Sequence, residues 1–82
     1  MIESVQRQAF YLIKDVARIT GLSVHTVKYY LRIGLLRETG RSPETNFRYF
    51  NDTSLTTLNK ICSFRREGKT IREIQLLLKK NV

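Results

Sequence analysis

The sequence has little that could form a covalent, metal-based or membrane-spanning structure. Its single cysteine, Cys62, has no partner for an internal disulfide, and neither Cys62 nor the only histidine, His25, has a second ligand at metal-binding spacing. The sequence contains no run of about 18 apolar residues and no charged-then-apolar leader. We therefore expect a cytoplasmic protein that holds no metal and no cofactor and has no membrane partner.

Acidic residues are also scarce, and those present are scattered. Seven Asp and Glu stand against fifteen Lys and Arg, which gives a formal net charge of +8. The carboxylates are unpaired, and no nucleophile with a base or glycine-rich phosphate loop accompanies them, so the sequence does not predict an enzyme. With 41% apolar residues, the 82 residues can fold as one small domain. A folded basic domain most often partners a polyanion, and nucleic acid is favoured.

Two short helices around a glycine turn are predicted between residues 13 and 33. Apolar residues recur with helical spacing at 13, 16, 17 and 19, and again at 24, 27, 30 and 31. Gly21 can end the first helix in a left-handed conformation, and Ser23 can cap a second helix over about 24–33 that ends at Gly34. The outward polar face of that helix comprises His25, Lys28, Tyr29 and Arg32. The spacing is typical of a helix-turn-helix, and we expect this face to read DNA.

The segments before and after this pair are less regular. We expect a poorly ordered N-terminal tail over 1–10 and a domain over 11–82. Tyr11 and Leu12 lead into the first helix without a capping side chain, which Asp15 partly offsets through the helix dipole. Further on, Leu36-Arg37 and 47–49 are predicted as short strands separated by a turn-rich stretch. We interpret 37–49 as a β-hairpin wing along a phosphate backbone, and a plain connecting loop is the alternative.

Two more helices are predicted after the wing. Asn51 can cap a third helix over about 52–67, and Gly68 follows it. Its buried stripe is expected to comprise Leu55, Leu58, Ile61 and either Cys62 or Phe64. Thr70 and Glu73 form a capping box for a fourth helix. Its apolar face comprises Ile71, Ile74, Leu77 and Leu78. The predicted fold is mainly α with a small β-hairpin, a winged helix-turn-helix of four helices.

Three motifs in order carry a family resemblance: ARITGLSVHTVKYYLRIGLL at 17–36, PETNFRYF at 43–50 and GKTIREI at 68–74. The chain resembles the N-terminal DNA-binding domain of MerR-family transcription regulators, and its wing resembles that of the multidrug-sensing members. The resemblance implies sequence-specific binding of double-stranded DNA, with the second helix in the major groove and the wing on the backbone. Leu31 departs from the family pattern, which usually has Glu there, and Phe47 replaces a usual Tyr.

Site residues follow from the resemblance and from charge. Carried over by position, the resemblance puts His25, Thr26 and Lys28 at or near base edges, and Tyr29, Tyr30, Phe47 and Arg48 at phosphates. Charge alone adds further phosphate candidates, which are Arg18, Arg32, Arg37, Arg41 and Lys69. We expect the Tyr30 ring to pack inside, Phe47 to be mainly a packing residue, and Arg48 to be held by the aromatic residues on either side of it.

Two other functions stay open on the same fold. One is an excisionase-like DNA-bending factor, and the other is a protein-interaction or RNA-binding module. Family members dimerise through a long helix after the fourth one, and that helix is not within these 82 residues. We therefore expect a monomer or weak dimer as the chain stands, and a dimer if such a helix follows in the native protein. We also expect a nucleoid-associated location and no small molecule bound by this chain.

Overall fold

Four helices and three short strands follow one another within residues 9–80, the part of the chain that the computed structural model describes. In chain order they are β1 (Tyr11–Leu12), α1 (Ile13–Thr20), α2 (Val24–Arg32), β2 (Gly40–Arg41), β3 (Arg48–Phe50), α3 (Asp52–Arg66) and α4 (Ile71–Lys80). Most of the predicted tail, over 1–8, lies outside the described residues. No helix in the described range is long and apolar enough to cross a bilayer.

The turn between α1 and α2 forms as predicted. Gly21 has a φ of +78°, a left-handed conformation that favours glycine, and it ends α1. The amide of Leu22 donates to the Ala17 carbonyl at 3.0 Å, and the half-buried Leu22 side chain packs against the core. Ser23 Oγ then accepts a hydrogen bond from the amide of Thr26 at 3.0 Å. These local contacts fix the angle at which α2 leaves α1.

The core lies between the helix-turn-helix, the sheet and the two later helices. Its buried residues are Val16, Ala17, Val27, Tyr30, Leu35, Leu36, Phe50, Leu58, Ile61 and Ile74. The expectation that Ile19 and Val24 belong to the apolar stripes is wrong, since both are exposed, Ile19 to 47%. Ile19 follows the buried Ala17 by two residues, which places it about 200° further around the helix. In α3, Cys62 and Phe64 are both half-buried, so neither alone completes the stripe.

The three strands form one antiparallel sheet in the order β1-β3-β2. The predicted hairpin is confirmed, but the prediction that Leu36-Arg37 forms its first strand is wrong. The first strand is β2, in which Gly40 pairs with Tyr49 and Arg41 pairs with Arg48. The amides of Leu35 and Leu36 instead donate to the carbonyl of Tyr30, at 3.0 and 3.2 Å. The segment after α2 therefore closes the end of that helix, and strand pairing starts only nearer the hairpin turn.

β1 is a strand that was not predicted from the sequence. Tyr11 pairs with Phe50 and Leu12 with Tyr49, so β3 is the central strand. The Leu12 amide donates to Asp15 Oδ2 at 3.0 Å, which supplies the start of α1 with a direct hydrogen bond in addition to the expected dipole effect. Two residues of extended chain thereby connect the wing to the first helix.

Side-chain caps start α3 and α4 as predicted. Asn51 Oδ1 accepts from the amide of Ser54 at 3.2 Å. Thr70 and Glu73 form the reciprocal capping box, with the Thr70 amide donating to Glu73 Oε1 at 2.8 Å and the Glu73 amide to Thr70 Oγ1 at 3.1 Å. The hydrogen bond from the Thr70 amide is the main reason that the pKa of Glu73 lies below its ordinary value. Both helices therefore begin where the sequence signals lie.

Candidate nucleic-acid interface

The outer face of α2 is polar and open to solvent. Its four predicted members are all exposed, and they are His25, Lys28, Tyr29 and Arg32. Between them, Val27 and Tyr30 point into the core. The two neighbouring tyrosines differ as expected, since Tyr29 is 37% exposed and Tyr30 is 6% exposed. The buried side chains therefore determine which side of α2 can meet a partner.

Three side chains of α2 have additional contacts that limit their freedom. The guanidinium carbon of Arg32 lies 5.5 Å from the centre of the Tyr29 ring, a cation–π arrangement that restrains both side chains. Thr26 is half-buried, and its Oγ1 accepts a hydrogen bond from Ser23 Oγ at 2.9 Å. Thr26 thus belongs to the helix cap, and His25 and Lys28 are the more accessible of the predicted base-reading residues.

A concavity of about 670 Å³ separates α2 from the wing. Its lining comprises Lys28, Leu31, Arg32, Gly34, Leu36, Arg37, Glu38 and Arg48. Four of these side chains are cations and one is a carboxylate, so the concavity is strongly basic. Leu31 contributes an apolar side chain where the resembling family usually has Glu. The structure therefore brings predicted residues from α2 and from the wing to one surface.

Glu38 holds two wing arginines and was not predicted as a site residue. Arg41 Nε lies 2.8 Å from Glu38 Oε2, and Arg48 Nε lies 2.9 Å from Glu38 Oε1. Hydrogen bonds, first of all from Arg41, hold the pKa of Glu38 below its ordinary value. The expectation that aromatic neighbours hold Arg48 missed this ion pair. A carboxylate three residues before Arg41, in an otherwise basic segment, was the available sequence signal.

The outer face of the wing is apolar with a basic rim. Phe47 is 60% exposed, so the expectation that it is mainly a packing residue is wrong. It precedes β3 and lies three residues before the buried Phe50, so the alternation of side chains along the strand directs it away from the core. Leu12 and Phe47 line a groove together with Lys14, Arg41 and Arg48. The ring of Phe10 packs edge-on against Tyr49 nearby, with 5.2 Å between ring centres.

The remaining phosphate candidates lie outside the lining of the concavity. Arg18 on α1 is exposed, and its Nη2 lies 3.5 Å from Asp15 Oδ1. Lys69 is half-buried in the turn between α3 and α4, where its carbonyl accepts from Arg65 Nη1 at 3.1 Å. The structure therefore groups Lys28 and Arg32 of α2 with Arg37 and Arg48 of the wing, while Arg18 and Lys69 lie outside this concavity.

Fold and surface together define a small winged helix-turn-helix protein with a basic concavity between its second helix and its wing. The sequence profile described as MerR HTH family regulatory protein matches residues 11–81. The chain belongs to this family. The chain is 28% identical to the Multidrug-efflux transporter 1 regulator of Bacillus subtilis over 69 residues, which are 84% of this chain and 25% of that regulator.

Solved structures agree with this assignment. A MerR family transcriptional regulator from Bacillus cereus matches with a TM-score of 0.81 and 27% identity, over 85% of this chain and 52% of that one. HiNmlR, a MerR family regulator lacking the sensor domain and solved bound to promoter DNA, matches with a TM-score of 0.81 and 25% identity, over 89% of this chain and 55% of that one. The chain thus spans about half the length of these regulators.

Proposed function

We propose that this chain is the DNA-binding module of a MerR-type transcription regulator and binds double-stranded DNA sequence-specifically. The observation that carries the proposal is the basic concavity, in which Lys28 and Arg32 of α2 lie opposite Arg48 of the wing. One surface with cations on two walls suits a duplex, whose bases are read in a groove while the flanking backbone is held.

The two walls of the concavity share the phosphate contacts, whereas α2 alone reads bases. Base edges in the major groove are read from α2 by His25, Thr26 and Lys28, because their backbone positions are fixed by the buried side of that helix. Phosphates are held by Tyr29 and Arg32 of α2 and by Arg37, Phe47 and Arg48 of the wing, with outlying contacts from Arg18 and Lys69. Arg41, which was also predicted to hold a phosphate, is paired with Glu38. Tyr30 takes part only through its hydroxyl, since its ring is buried.

The apolar outer face of the wing fits this assignment. Phe47 is exposed beside Arg41 and Arg48, so the wing offers an aromatic ring and cations to the same stretch of backbone. Sugar edges are apolar and phosphates are anionic, so a DNA backbone matches both features. HiNmlR was solved bound to promoter DNA, which supports promoter DNA as the natural partner of this chain. We propose a bacterial cytoplasm as its location and a monomer or weak dimer for the isolated chain.

A selection from a pool of random duplexes tests the proposal. The chain should enrich a short common sequence, and the enriched duplex should bind more tightly than a scrambled one at every salt concentration. Each phosphate contact should add about −0.9 to the slope of log K against log salt. Equal binding of the enriched and scrambled duplexes would overturn sequence specificity. Tighter binding of structured RNA would overturn the choice of DNA.

A further inference from the structure

One carboxylate, Glu38, lies among the cations of the concavity between α2 and the wing. It is the only acidic side chain in the lining of that concavity within the described residues 9–80. A carboxylate here repels an approaching phosphate unless its charge is used by the protein itself. Glu38 uses it on Arg41 and Arg48, which were both predicted to hold phosphates. The three side chains together keep one net positive charge.

The two arginines use different edges on Glu38. Arg41 directs Nε to Oε2 at 2.8 Å and Nη2 to Oε1 at 3.5 Å, so one whole side of its fork faces the carboxylate. Arg48 directs only Nε to Oε1, at 2.9 Å. Within the described part of the chain, Nη1 and Nη2 of Arg48 have no hydrogen-bond partner. Arg48 therefore keeps both terminal nitrogens for a ligand, while Arg41 is committed to Glu38.

We propose that Glu38 is a positioning residue of the DNA interface. Arg41 fixes the carboxylate, the carboxylate fixes Nε of Arg48, and Arg48 presents its terminal nitrogens to a backbone phosphate. An arginine that is already held loses less conformational freedom when it binds, so binding is tighter than with a mobile side chain. This inference rests on the proposed function, and it assigns Arg41 a structural role in the wing in place of a phosphate contact.

Glu44 offers a control of equal charge in the same wing. It is exposed, and its described polar contact is with Ser42 Oγ at 3.4 Å. Glu38→Gln and Glu44→Gln each raise the net charge by one. If Glu38 acted by charge alone, both variants would bind DNA more tightly, and E38Q at least as tightly as E44Q, because Glu38 lines the basic concavity and Glu44 does not. If Glu38 positions Arg48, E38Q should bind the enriched duplex about three to ten times more weakly than E44Q.

The same pair in an Arg48→Ala background tests whether Glu38 acts through Arg48. We expect the weaker binding of E38Q relative to E44Q to disappear between E38Q/R48A and E44Q/R48A, because Arg48, the held arginine that meets the phosphate, is gone. A persistent difference would overturn the positioning role. Binding by E38Q as tight as or tighter than by E44Q would also overturn it and make Glu38 a competitor of the phosphate. If the unaltered chain bound no duplex more tightly than a scrambled one, the proposed function would fail instead.

A measurement on the unaltered chain does not depend on the folding of any variant. The Nε–H of Arg48 should exchange slowly with solvent in ¹⁵N-detected spectra, and it should stay protected when the duplex is added, while the Nη signals shift. Loss of Nε–H protection on adding DNA would show that Arg48 leaves Glu38, which would overturn the proposal. E38Q should lose the protection without DNA, and E44Q should keep it.

Discussion

The second helix and the wing face the same concavity, but different forces hold them in place. α2 is anchored by Val27 and Tyr30, whose side chains are buried in the core. The wing is joined to the core through Phe50, the residue that follows it, and is otherwise held by strand hydrogen bonds and by partly exposed ion pairs around Glu38. Burial depends little on salt or pH, whereas exposed ion pairs depend on both. The α2 wall is thus held by burial, whereas the wing is held in part by interactions that salt and acid weaken.

The largest expected effect comes from removing the side chain that joins the wing to the core. Phe50→Ala should lower the free energy of unfolding by about 3–5 kcal/mol, because Phe50 is fully buried and leaves a cavity. In a domain of this size such a loss unfolds most of the chain. Phe47→Ala, at an exposed position of the same wing, should change stability by less than about 0.5 kcal/mol. Urea unfolding of both variants checks this, and equal losses would contradict the account.

A smaller effect is expected within the wing itself. A Cβ added at Gly40 would lie 2.5 Å from the Tyr49 hydroxyl and 2.7 Å from the ring carbon that bears it. Gly40→Ala should therefore displace the Tyr49 ring and cost about 1–3 kcal/mol. The α2 backbone should keep its chemical shifts while those of Phe10 and Tyr49 change. In a Tyr49→Ala background the loss of stability caused by G40A should largely disappear. If that loss kept its size there, the clash with the Tyr49 side chain would not be its cause.

The smallest effect is a pH dependence of the wing. The pKa of Glu38 is lowered in the folded chain, mainly by its hydrogen bond from Arg41, so the folded state binds this proton less readily than the unfolded state. The ionised Glu38 side chain therefore stabilises the fold above pH 4.5, its ordinary pKa. This stabilisation is lost as the pH falls through the lowered pKa of the folded chain. Thermal unfolding followed from pH 7 downward should show E38Q less stable than the unaltered chain near neutrality. The difference should shrink in acid, and a gap that is constant with pH would contradict the assignment.

The parts of this fold that could be predicted from sequence are those fixed by neighbours along the chain. Gly21, Ser23, Asn51 and the pair Thr70–Glu73 act on backbone groups at most a few residues away, so each cap appeared where it was expected. The unexpected strand β1 depends on β3, which lies far along the sequence. No local pattern distinguishes two residues of paired strand from an extended lead-in.

The site shows the same division. The polar face of α2 could be predicted from the helical period, because burial of Val27 and Tyr30 puts the polar residues between them on the opposite, outer side of the helix. The place of Glu38 did not follow, since its carboxylate meets arginines from two strands only after the hairpin has formed. Phe47 was misjudged because an aromatic residue usually packs, but this one lies beside the hairpin turn on the face opposite the buried Phe50.

In the proposed complex α2 reads bases and also meets phosphates, whereas the wing meets the backbone alone. This division is tested by the affinity of Lys28→Ala and Arg48→Ala for the enriched duplex and for all its single base-pair variants. K28A should lose about 1–3 kcal/mol of discrimination at one or two base pairs and keep the other preferences. R48A should bind every duplex more weakly by the same factor, with a salt slope shallower by about 0.9. If both variants weakened all duplexes equally, or if R48A alone changed base preference, the division between helix and wing would be contradicted.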